Sequence, residues 1–157
     1  YRGGHKDAGV TFPFLDSDVY KWLEGVGWEL GRAPDAALRA KADEAIGLIE
    51  QAQAEDGYLG TYVALMGLQP FHDLAWGHEL YCVGHLAQAA VAWSRALDDD
   101  RLLRVVDRAV TRIEAELGPG RRDGTLPPVH GREEAAGRDH RQFRAPPRHP
   151  RRHAHLV

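Results

Sequence analysis

The residues with the greatest chemical potential lie in one run, His78-Glu79-Leu80-Tyr81-Cys82-Val83-Gly84-His85, preceded by Trp76-Gly77. On a helix His78, Cys82 and His85 fall at i, i+4 and i+7, a single stripe, so metal ligation is the first chemistry to test. The zinc-protease pattern fails, because the position four after His78 is Cys82 and not a second histidine. At 1.5 Å per residue His78 and His85 stand about 10 Å apart along the axis, too far to share one ion held at about 2.1 Å. A His78 and Cys82 pair has the right spacing but no third or fourth ligand with a matching signal, so no metal site is expected in this chain. A lone cysteine on an apolar helix usually packs as a small hydrophobe, and a histidine there usually hydrogen-bonds within the core. His78 differs, because it falls at the first turn of a helix beside Trp76 and Glu79, where scaffolds present functional groups.

Paired carboxylates are the second chemistry. Glycosidic bonds are commonly broken by two acids about 5 to 10 Å apart, one protonated and one ionised. Asp16, Asp18, Asp56, Asp73 and Glu79 are candidates by position, although Asp16 and Asp18 also suit helix capping. Gly57 and Gly60 lack a following Gly-Lys-Ser/Thr, and no serine elbow occurs, so phosphoryl transfer and serine hydrolysis drop out.

The elements that must carry these groups are helical. After Asp16-Ser17-Asp18, the residues Val19, Trp22, Leu23, Val26 and Leu30 form the apolar stripe of a first helix. Pro34-Asp35 opens a second, with Leu38, Ala42, Ile46 and Ile49, which Asp56-Gly57 stops. A loop over 56–67 leads to a third run carrying Leu80, Leu86, Ala90, Trp93 and Leu97. Asp98, Asp99 and Asp100 then introduce a fourth, which runs through Leu102, Leu103, Val106 and Ile113 to Gly118-Pro119. No alternating strand pattern stands out, although Tyr58 to Leu65 has the aromatic and β-branched content of a short extended piece. The third helix is apolar around its whole circumference and therefore expects neighbours on more than one side. The expected class is all-α, built from αα-hairpins of the kind found in solenoids and α/α toroids.

Composition sets the outer bounds. The 157 residues are 43% hydrophobic with 20 Lys+Arg against 23 Asp+Glu, the balance of a soluble domain. No apolar run approaches the ~18 residues of a membrane helix, and one cysteine excludes an internal disulfide. The chain opens at Tyr1 with no charged-then-apolar leader, and its single methionine is Met66. The expectation is a cytoplasmic location and a piece cut from a longer protein. Residues 1–118 carry a net charge of −8 and residues 119–157 a net +5, together the −3 of the whole. Those last residues hold six of the nine prolines and five of the nine histidines, with no isoleucine or tryptophan. They are expected to form a disordered basic tail after a domain spanning 1–118.

Three blocks then resemble a known family. They are Phe14-Leu15-Asp16-Ser17-Asp18-Val19-Tyr20-Lys21-Trp22-Leu23-Glu24, then Ile49-Glu50-Gln51-Ala52-Gln53 with Asp56-Gly57-Tyr58-Leu59-Gly60-Thr61-Tyr62, then His78 to Leu86. In order and spacing they resemble the N-terminal part of the β-L-arabinofuranosidases of glycoside hydrolase family 127, over residues 1 to about 124. The resemblance implies the opening helices of an (α/α)6 toroid, followed in the family by β-sandwich domains. It implies an enzyme that removes β-L-arabinofuranose from glycans with retention, through a zinc-held cysteine nucleophile and a glutamate acid/base. Those groups lie downstream in the family. This chain would then contain no catalytic residue and no zinc ligand, would be inactive alone, and Cys82 would not be the nucleophile. What the resemblance implies for this part is substrate binding by His78 first, with Glu79, Tyr81 and His85 around it and Trp76 as an apolar ring beside the sugar. The partner so implied is an arabinofuranose-containing glycan, with neither a membrane nor nucleic acid expected.

After Gly118-Pro119-Gly120-Arg121-Arg122-Asp123-Gly124 the sequence departs from the family, which continues into another amphipathic helix. The Arg, Pro, His and Ala that follow are what a reading-frame change in GC-rich DNA would give. The rival expectation is a functional basic tail that attracts phosphates. A further alternative for the whole chain is a helical-hairpin module that docks a partner through unpaired apolar faces.

Overall fold

The structure is a computed structural model and describes residues 12–119. The expected tail at 119–157 thus falls almost wholly outside the described residues. Five helices occur in the order α1 Asp16–Arg32, α2 Ala36–Ala52, α3 Thr61–Met66, α4 Glu79–Leu97 and α5 Arg101–Leu117. No strand occurs among the described residues.

Local chemistry accounts for most boundaries. Asp35 caps α2, its Oδ1 accepting from the backbone N–H groups of Ala37 and Leu38 at 2.9 Å each. α4 ends where Asp98 turns to a φ of 53°, letting the N–H groups of Asp98 and Asp99 bond back to the carbonyls of Ser94 and Trp93. Asp99 Oδ1 then accepts from Arg101 N as α5 begins.

α1 and α4 lie side by side and run the same way. Lys21 meets Tyr81, Leu23 O accepts from Trp93 Nε1 at 2.7 Å, and Gly31 faces Ala96, so numbers rise together along the pair. α2 and α5 are parallel too, with Asp43 against Arg101 and Gln53 Nε2 donating to Val105 O at 2.9 Å. Two αα-hairpins therefore stand next to each other in the same direction, the repeat of an α/α toroid. α4 packs on both α1 and α5, as its all-round apolar character requires. Leu23, Ile46, Leu86, Trp93 and Leu102 are fully buried at the centre, and the Arg39 guanidinium lies 5.0 Å over the Trp93 ring.

Four sequence expectations need correction. The stretch read as an extended piece, Tyr58 to Leu65, is helical from Thr61 onward as α3, whose first N–H is satisfied by a distant group: Asp16 Oδ2 accepts from Thr61 N at 2.9 Å, and Asp16 Oδ1 from the Thr61 hydroxyl. Asp16 therefore caps α3, and Leu15, the residue before α1, gives that helix no side-chain cap. The buried face of α1 is Ser17, Tyr20, Leu23, Val26, Gly27 and Leu30, while Val19 and Trp22 are exposed. Leu80, placed on the apolar stripe of α4, is likewise exposed.

Candidate functional site

Because α1 and α4 are parallel, both N-termini open at one end of the molecule, and the side chains there form a row. His78 is the residue before α4 and takes a left-handed φ of 55°. Its Nδ1 contacts the Trp76 carbonyl. A carbonyl only accepts, so Nδ1 is the donor in this contact, and in a neutral imidazole of that tautomer Nε2 is an acceptor. Around the imidazole stand the rings of Phe14 at 5.5 Å, Trp76 at 5.9 Å and Tyr81 at 5.9 Å, all edge-on. Tyr81 is in turn edge-on to His85 at 4.6 Å.

The row Trp76, His78, Tyr81 and His85 brings together four of the five residues singled out from the sequence. Trp76 and Tyr81 are exposed, whereas His85 Nδ1 is buried with no hydrogen-bond partner among the described residues. Glu79, the fifth, is turned into the protein: its Oε1 accepts from Tyr58 Oη at 2.6 Å and from Phe71 N at 2.9 Å. That contact and burial push the Tyr58 phenol far above its ordinary range, burial contributing most.

Sequence reasoning missed two members of the neighbourhood. Lys21 Nζ donates to Tyr81 Oη at 2.9 Å and to Ser17 Oγ at 3.2 Å, and sits 5.2 Å from the Tyr81 ring centroid. The bond to Tyr81 raises the lysine pKa. Phe14 was quoted only as part of a family block. Neither carries a local signal for its role, because the Lys21–Tyr81 contact spans 60 residues.

The other carboxylates have separate employment. Asp73 Oδ1 accepts from Ala75 N and Trp76 N and so shapes the turn ahead of His78. Asp56 accepts from Tyr58 N and pairs with Arg112. Asp18 is exposed, 3.8 Å from Lys21. The five candidates therefore do not assemble into a catalytic pair through their contacts.

Among the described residues no group of three or more His, Cys, Asp or Glu is placed to hold a metal ion. Cys82 is buried, its Sγ 3.8 Å from Pro13 O, and its thiol is pushed up to about 11, by burial first and then by the negative charge of Asp16. A thiol so protonated is a poor ligand and a poor nucleophile.

The chain matches the family model for the β-L-arabinofuranosidase GH127 catalytic domain over residues 3–136. It belongs to glycoside hydrolase family 127. Among curated proteins this family 127 chain is 39% identical over 111 residues to a non-reducing end β-L-arabinofuranosidase of Bifidobacterium longum subsp. longum. That alignment covers 68% of this chain and 17% of the relative. Among solved structures it resembles a family 127 β-L-arabinofuranosidase from Geobacillus stearothermophilus T6. The TM-score is 0.63 with 38% identity, over 80% of this chain and 20% of that one. A second family 127 β-arabinofuranosidase matches with a TM-score of 0.63 and 27% identity, over 74% of this chain and 20% of that one. The chain thus spans about a fifth of the length of the family 127 proteins it matches.

Proposed function

We propose that this chain supplies the opening hairpins of a toroid that binds and cleaves terminal β-L-arabinofuranosides, and that its own part is to present one wall of the sugar site. The observation that carries this reading is the row at the shared N-terminal end of α1 and α4, in a chain of this family. A furanose offers hydroxyls that both donate and accept, with an apolar ring face between them. His78 Nε2 accepts from one hydroxyl, Tyr81 Oη and Lys21 Nζ engage others, and the Trp76 ring lies against the apolar face. His85 supports the Tyr81 ring from below.

The chemistry belongs to groups outside this chain. Retention in this family uses a zinc-held cysteine and a glutamate acid/base encoded downstream, and Cys82, kept protonated by its surroundings, does not replace them. The chain alone is inactive on this reading. The family match runs to residue 136, so a change of reading frame, if it explains the basic tail, falls near or beyond that point. Translating the flanking DNA in its other frames tests this, because an amphipathic helix of the family's kind must then appear.

The site itself is tested by titrating the 157-residue chain with methyl β-L-arabinofuranoside and following side-chain NMR signals. Perturbation concentrated on Trp76, His78 and Tyr81 is expected. Perturbation elsewhere, or none at molar-scale sugar, overturns the site. Incubation with an aryl β-L-arabinofuranoside is expected to release no phenol, and turnover would overturn the assignment of the catalytic groups to positions outside these 157 residues.

A further inference from the structure

Glu79 is only 6% exposed, yet no basic side chain pairs with it in a salt bridge among the described residues. Burying a carboxyl group costs free energy unless hydrogen bonds compensate. Its Oε1 collects two donors from different segments, the Tyr58 hydroxyl and the Phe71 N–H, while Oε2 has no partner among the described residues. The backbone near it is equally unusual. Phe71 and His78 both take positive φ, 58° and 55°, a left-handed conformation that is strained for a non-glycine residue. Gly77 lies between them, and a Cβ there would stand 2.7 Å from Asp73 O and 2.9 Å from Glu79 Oε2. Phe71 is further held by the edge of Tyr58 at 5.5 Å and by the Arg112 guanidinium at 5.5 Å.

The segment from 67 to 78 is therefore gripped at one point by Glu79 Oε1 and moulded at another against the same carboxylate, and its last residue is His78. Strained backbone of this kind persists only when surrounding contacts over-determine it. We infer that Glu79 is a positioning residue for His78: the carboxylate fixes the segment so that the left-handed turn at His78 and the place of its ring among Phe14, Trp76 and Tyr81 are held, while Glu79 itself never touches sugar. The role in recognition rests on the function proposed above. The geometric role does not.

The experiment compares wild type with Glu79→Leu and Glu79→Gln in the 157-residue chain. The readout is the His78 ring signals, displaced in wild type by the currents of Phe14, Trp76 and Tyr81, together with amide exchange at Phe71. Glu79→Gln keeps an oxygen at the Oε1 position and is expected to keep both readouts. Glu79→Leu is expected to move the His78 signals toward free-histidine values and to cut Phe71 protection about tenfold, as for a lost hydrogen bond, with helicity retained. An unchanged His78 in a folded Glu79→Leu protein overturns the proposal. If Glu79→Leu does not fold, Tyr58→Phe removes one donor without a cavity. It must then lower Phe71 protection and shift the His78 ring, and failure to do either overturns the proposal equally. Methyl β-L-arabinofuranoside separates the two readings. Normal His78 displacement lost in Glu79→Leu, with no sugar bound by wild type, leaves the positioning role standing and removes the site. Equal sugar binding by wild type and Glu79→Leu removes the positioning role and leaves the site.

Discussion

Cys82 and Glu79 both sit within one turn of α4, and they show how far a side chain's role depends on what surrounds it. Burial and the charge of Asp16 hold the Cys82 thiol protonated up to about 11. Ellman's reagent at pH 8 is therefore expected to modify the native chain at least about a hundredfold more slowly than the urea-unfolded chain, where the thiol returns to its ordinary value near 8.5. Prompt modification of the folded protein would contradict that burial. The packing role of Cys82 was legible in the sequence, because a lone cysteine in an apolar helix has few other uses. The inward turn of Glu79 was not, because its donors come from Tyr58 and Phe71, and no spacing rule links 58, 71 and 79. Asp16 makes the same point: its residue type suits a cap, but only the fold reveals that it caps a helix 45 residues away.

At the scale of helices, the α1 and α4 pair depends on glycines at particular positions. A Cβ on Gly27 would lie 2.7 Å from Trp93 Cδ1, and that ring cannot retreat while its Nε1 is bonded to Leu23 O. At Gly31 the obstruction is the Ala96 Cβ, also at 2.7 Å. Replacing glycine by alanine inside a helix gains about 1 kcal/mol from propensity, while overpacking costs about 1 to 3 kcal/mol, so the contact decides the sign. Gly27→Ala and Gly31→Ala are expected to lower the urea midpoint, whereas Gly25→Ala and Gly47→Ala, where nothing lies within 4 Å, raise it. Stabilisation at Gly27 would mean that the helices are not this close.

A second prediction belongs to the corner where α2 meets the start of α5. Arg39 and Arg101 bind Asp43 and Asp99. The Asp99 carboxyl is lowered, mainly by its bond from Arg101. For Asp43 burial pushes upward, but the bonds from Arg101 and Arg39 outweigh it and the net shift is downward. Groups with depressed folded pKa stabilise above the unfolded value of about 3.9, and that contribution is lost as pH falls through the folded value. Urea midpoints should therefore drop as pH falls below about 4, and Asp99→Asn should flatten that limb while lowering stability at neutral pH. An identical acid limb in the variant would exclude the cluster as its source. Helix period and the Pro34-Asp35 start were readable in advance. α3 was not, because its six residues are too few for periodicity to register and its first N–H is satisfied by a remote carboxylate.

For the molecule as a whole, the question is what covers the apolar surface that remains. Trp22, Val19 and Leu15 form a stripe on α1 at helical spacing, Trp28 is 47% exposed on the same helix, and Leu48, Val91 and Trp76 are open elsewhere. The Val19 and Trp22 stripe was expected to face inward, and its outward position has a plain cause. α1 uses its other face against α4. Soluble monomers seldom expose contiguous apolar patches above a few hundred Å². The chain is therefore expected to bind 8-anilinonaphthalene-1-sulfonate at neutral pH while keeping its helical circular dichroism, and to sediment as a mixture of assemblies whose average mass rises with concentration. Trp22→Lys combined with Val19→Glu should reduce both effects without lowering the urea midpoint, because neither side chain is buried within the chain. A dye-silent monomer with a cooperative transition would mean that these hairpins are sufficient by themselves, and the toroid would then be an arrangement of self-contained units and not a ring whose parts stabilise one another.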